Sequence, residues 1–79
     1  MKLVLGDEGG PCHFLGGRRV NCGTQLKLFV GSTTGNPWRW VRYEANLSPG
    51  RVAFILHATF GIVIPTDATE LRWPMENEQ

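Results

Sequence analysis

No apolar run in the sequence approaches the roughly 20 residues that a membrane-spanning helix requires. The opening Met-Lys-Leu-Val-Leu gives way at once to Gly6, Asp7 and Glu8, too short a stretch for a signal peptide. With neither export signal nor membrane anchor, the expectation is a cytoplasmic protein with no membrane partner. There are only two cysteines, Cys12 and Cys22, too few for the disulfide framework of a small secreted domain. A Cys12–Cys22 bridge across a hairpin is geometrically open, but a reducing compartment favours two small, buried thiols. Lysine is scarce: six of the eight basic residues are arginine, and only Lys2 and Lys27 are lysine. Arginine favours planar, bidentate or stacked contacts, so the bias points to specific pairs. The formal charge is +1, which gives no strong field to draw in nucleic acid from a distance. Helical periodicity is missing as well. No segment repeats apolar residues at i, i+3, i+4 and i+7 over two full turns.

What is present is a strand pattern. The 79 residues suffice for a single domain over 1–79, with an ordered core over about 12–73 and a polar tail over 75–79. Hydrophobic residues make up 42% and charged residues 19%, a globular balance. Ten glycines and five prolines, scattered without a period, read as turns between short strands. Extended pieces are expected at 2–5, 12–15, 18–21, 25–31, 38–45, 51–57, 60–65 and 69–73. Gly16-Gly17 is a two-residue hairpin turn, because paired glycines accept positive φ without steric cost. Ser32 to Pro37 and Asn46 to Gly50 read as loops. In 25–31, Leu26, Leu28 and Val30 face one way and Lys27 and Phe29 the other. In 38–45, Trp38, Trp40, Arg42 and Glu44 share one face and Arg39, Val41, Tyr43 and Ala45 the opposite one. Phe54 and Ile55 fall in the longest apolar run and are expected in the core. Turn signals every 8–12 residues suggest an all-β fold, a small, partly open, SH3-like β-barrel of five or six short antiparallel strands.

The segment Pro37 to Glu44 carries three large aromatics and two arginines in eight residues. On one reading, bases stack on Trp38, Trp40 and Tyr43 while Arg39 and Arg42 contact phosphate or add cation–π contacts. On the other, Trp38 and Trp40 anchor the core and Arg42 pairs with Glu44 on its own face. The near-zero net charge favours the second.

Cys12, His13, Cys22 and His57 are the soft-metal candidates, since zinc suits two thiolates and two imidazoles. Their spacing contains no Cys-x-x-Cys knuckle, and adjacent Cys12 and His13 point to opposite faces of a strand. No metal and no cofactor is therefore expected. A nucleophilic dyad would need the fold to bring His13 or His57 to Cys22. The seven carboxylates form no paired arrangement of the hydrolase kind. Gly9-Gly10 and Gly16-Gly17 lack the lysine and helix of a phosphate loop. The expectation is no enzyme and no small-molecule substrate.

The order of landmarks resembles a family of small bacterial domains of unknown function found in mobile genetic elements. The resemblance rests on Val20, Cys22-Gly23, Leu26 to Val30, Trp40, Arg42-Tyr43-Glu44, Arg51 to Leu56 and Leu71-Arg72-Trp73, over about residues 12–73. It implies a compact β domain of phage or plasmid origin and no activity. Together these readings suggest a non-catalytic binding module that engages a protein partner or a second copy of itself. The alternative is weak single-stranded nucleic-acid binding through Trp38, Arg39, Trp40, Arg42 and Tyr43. A third is a small zinc protein or enzyme built on the cysteines and histidines.

Overall fold

A computed structural model describes residues 1–31, 35–48 and 51–76, without the side chains of residues 47, 48, 51 and 52. The expected turns at Ser32 to Thr34 and Pro49-Gly50, and the last three residues of the tail, lie outside the described residues. The fold is all-β, with no helix among the described residues. Among the described residues eight strands follow in chain order: β1 (Leu3–Gly6), β2 (Cys12–Leu15), β3 (Arg18–Val20), β4 (Gln25–Phe29), β5 (Trp38–Ser48), β6 (Arg51–Ala58), β7 (Gly61–Val63) and β8 (Leu71–Arg72). The count exceeds the expected five or six because β3, β7 and β8 are only two or three residues long. Asn46 to Ser48, expected in a loop, continue β5 and pair with β6.

The strands form two antiparallel sheets. One has the order β1-β2-β3 and the other β7-β6-β5-β4-β8. Neither closes into a barrel, which corrects the SH3-like expectation. The N-terminal meander pairs within itself, while β8 returns from the far end of the chain to pair with β4. The sheets meet at one seam, where the Met1 ammonium donates to the Leu71 carbonyl at 2.7 Å and the Leu71 N–H to the Met1 carbonyl at 2.8 Å. Trp73 ties them again: its indole N–H donates to the Leu15 carbonyl at 2.8 Å, and the Arg18 guanidinium lies 3.6 Å from its ring centroid.

Local chemistry sets the hairpins. Gly16 and Gly17 take φ of 61° and 81°, the two positive values that a tight turn matching strand twist demands. Alternation sets the faces. Leu26, Leu28, Val41, Tyr43, Leu56 and Leu71 point inward from the larger sheet, and Leu15 and Val20 meet them from the smaller one. This cluster is the core. Phe54 and Ile55 are half-buried, not largely buried as expected. Phe54 faces inward at the open side of the two layers, and Ile55, opposite Glu44, faces outward.

Candidate functional site

The pleat of β5 splits the five aromatic and arginine candidates between its two faces. Trp38, Trp40 and Arg42 point outward, and Arg39 and Tyr43 inward. Trp38 and Trp40 are half-buried and lie outside the inter-sheet core, so they are not core anchors. Each instead meets a cation from another strand of the same sheet, Trp40 from adjacent β4 and Trp38 from β8 beyond it. The register sets Lys27 beside Trp40 on one side and Arg72 on the other. The Lys27 ammonium sits 4.2 Å from the Trp40 ring centroid, and the Arg72 guanidinium 4.8 Å from that of Trp38. Phe29 packs on Trp38 at 5.3 Å. These side chains cover one another so well that Lys27, on the outer face of the sheet, is only 4% exposed. Arg42 pairs with Glu44, Nε to Oε1 at 2.8 Å, as its position predicts. A shallow cleft of about 280 Å³ opens beside them, lined by Gln25, Trp40, Arg42 and His57 among others.

Tyr43 is 1% exposed, and its hydroxyl lies 2.8 Å from His13 Nδ1. That contact assigns the protons. The hydroxyl has no other partner among the described residues, so its hydrogen must go to Nδ1 or be buried without an acceptor. Tyr43 therefore donates to Nδ1, and the neutral ring carries its own proton on Nε2. Burial lowers the His13 pKa, which keeps the ring neutral near pH 7. Burial also pushes the Tyr43 phenol up to about 12, with smaller contributions from Cys22 and Cys12 and a small opposing one from Arg19. His13 and Phe54, whose ring centroids are 4.3 Å apart, line a cleft of about 360 Å³ with Ala53, Ile64 and Pro65.

This geometry predicts a spectrum and a pH dependence. Long-range proton–nitrogen correlations at pH 7 should show His13 as the Nε2–H tautomer. An Nδ1–H tautomer would reverse the assignment. Below about pH 6.5 the unfolded chain takes up a proton that folded His13 resists. The unfolded state then binds more protons, so stability falls as the pH is lowered through that range. Glu70 extends the loss to more acid pH. Hydrogen bonds from the N-terminal ammonium and Lys2 hold its carboxyl below the ordinary value, and that stabilisation disappears once it is protonated.

The four soft-ligand candidates do not converge. Among the described residues no three His, Cys, Asp or Glu side chains form a group that could hold a metal. Cys12 is buried and Cys22 exposed, and both are unpaired thiols. The Cys22 sulfur accepts from the Ala45 N–H at 3.2 Å. His13 is engaged by Tyr43, and His57 lies across the sheet, on the outer face of β6.

One feature went unread in the sequence. Phe60, Ile62 and Ile64 are 59%, 63% and 62% exposed. Phe60 lies in the turn before β7, Ile62 on β7 and Ile64 just after it, so exposed apolar side chains run along an edge of the larger sheet that no further strand covers among the described residues. No helix of the described residues is long and apolar enough to cross a membrane. Compared with family models, with curated proteins and with solved structures, the chain matches none.

Proposed function

We propose that this chain is a non-catalytic binding module that receives a protein strand at the free edge of β7. The observation that carries the reading is the set of exposed Phe60, Ile62 and Ile64 along the β7 edge, which pairs only with β6 among the described residues. Strand addition uses both parts of such a site: the edge supplies main-chain hydrogen bonds and the exposed apolar side chains supply contact. Natural sheets usually blunt their edges with charge, proline or a bulge. Here the edge strand of the smaller sheet carries Arg18 and Arg19, and β1 and β8 meet at the Met1–Leu71 seam. From Val52 to Thr66 the sequence has no lysine, arginine, aspartate or glutamate, so β7 lacks charge protection and is blunted only by its three-residue length and by Pro65 beyond its end. Val4 and Leu5 are also exposed, but as successive strand residues they face opposite ways. Origin in a phage or plasmid accessory protein rests on the landmark resemblance alone.

A second reading, single-stranded nucleic acid, draws on one observation: Trp38, Trp40 and Arg42 share the outer face beside the 280 Å³ cleft. Against it, the cations that would meet phosphate are already engaged. Lys27 and Arg72 lie against the indoles, and Arg42 is paired with Glu44.

Both readings can be tested together. Short random peptides selected on the folded protein should be rich in alternating β-branched residues. Their affinity should fall about tenfold or more in Ile62→Lys, roughly 1.4 kcal/mol or above, and stay unchanged in Trp40→Ala. Peptide binding that survives Ile62→Lys would sink the strand-edge reading. An oligo-dT titration that saturates, weakens with salt and fails in folded Trp40→Ala would establish the second reading in its place.

A further inference from the structure

We infer that the strand received at β7 is the β7 of a second copy of this chain, paired antiparallel about a two-fold axis through Ile62. The inference rests on the strand-edge reading and names its partner. It starts from the β6–β7 hairpin, whose loop is the two residues Thr59-Phe60. The flanking residues Ala58 and Gly61 are paired, as are His57 and Ile62. In a two-residue hairpin the flanking pair exchanges both main-chain bonds, and such pairs alternate with ones that exchange none. His57–Ile62 is therefore the non-bonded pair, and the Ile62 N–H and C=O point away from β6 toward the open edge.

A two-fold axis at Ile62 uses both groups at once. Each Ile62 N–H donates to the other copy's Ile62 carbonyl, a bonded antiparallel pair. The register then sets Ile62 opposite the partner's Ile62 and brings each Ile64, just past β7, alongside the partner's Thr59-Phe60 turn. On the other face, Val63 lies opposite Gly61, and nothing lies within 4 Å of where a Gly61 side chain would begin. The edge is thus complementary to itself, as a two-fold interface requires. Charge agrees. With no charged residue from Val52 to Thr66, two copies meet without like-charge repulsion. The two five-stranded sheets would run on as one continuous sheet.

So small an interface implies a weak dimer, so the mass of the intact chain should be followed by sedimentation from about 10 µM to about 1 mM. The expected result is a rise from the 8.8 kDa monomer toward twice that mass. Ile62→Lys and Ile62→Glu should each remain monomeric, and an equimolar mixture of the two should associate again, because the opposite charges face each other across the axis. A wild-type chain that stays monomeric to the highest concentration overturns the second-copy inference, and peptide binding at β7 would then still support the strand-edge reading. Dimerisation that persists in both variants, or a mixture that fails to associate, also overturns it. If the variants unfold, the wild-type chain still gives an answer. Hydrogen exchange at the Ile62 amide should slow as concentration rises, and an exchange rate independent of concentration counts against the pairing.

Discussion

Leu56→Ala is expected to cost about 2–5 kcal/mol, a large share of the roughly 5–15 kcal/mol by which a domain is usually stable. Leu56 is fully buried in β6, between Tyr43 on β5 and Val63 on β7 in the sheet register. Leu15 of the smaller sheet belongs to the same cluster. Truncation would remove the transfer energy of the lost methyl groups and leave a cavity where the layers meet. A chain of 79 residues buries a modest share of its surface, so little else offsets the loss. The neighbouring Ile55→Ala should cost about 1 kcal/mol, because Ile55 is only half-buried on the outer face. Urea midpoints of the two variants check this. A loss at Ile55 as large as that at Leu56 would mean that the inner and outer faces of β6 have been exchanged.

Those faces show where sequence reasoning reached and where it stopped. Gly16-Gly17 specified its hairpin because turn chemistry is local. The alternation of β4 and β5 was legible for the same reason, as was the pairing of Arg42 with Glu44. Which face of β5 turned inward was not, because that depends on the second layer. Residue size favoured Trp38 and Trp40 for the core, while the pattern held a contrary signal. The tryptophan face also carries Arg42 and Glu44, and the opposite face carries Val41, Tyr43 and Ala45. The burial of Lys27 was illegible, since it needs Trp40 from β5 and Arg72 from β8 to converge on it. The division into two sheets depends likewise on the pairing of β4 with β8, which are some 45 residues apart. The β7 edge had a sequence signal, a β-branched run without charge that ends at Pro65. Its meaning as an edge emerged only from the strand order.

The second large effect lies on the alkaline side and concerns Tyr43. In the unfolded chain a tyrosine ionises near pH 10, whereas burial holds the folded phenol up to about 12. Between these values the unfolded chain has released a proton that the folded chain retains. The folded state binds more protons there, so stability is complete below about pH 10 and falls as the pH rises toward 12. At roughly 1.4 kcal/mol per pKa unit the full loss is about 3 kcal/mol, half of it present by about pH 11. The His13 contact is part of the same cost, because an ionised Tyr43 has no hydrogen left to donate to Nδ1. Other groups titrate in this range, so the informative quantity is a difference. Tyr43→Phe should lower stability at neutral pH by about 1–3 kcal/mol, since His13 Nδ1 loses its donor. From about pH 9 to pH 11 the variant should then lose less stability than wild type, by about 1.4 kcal/mol. Urea midpoints at the two pH values measure that difference. Equal alkaline losses in the two proteins would show that the Tyr43 phenol ionises as readily in the folded chain as in the unfolded one.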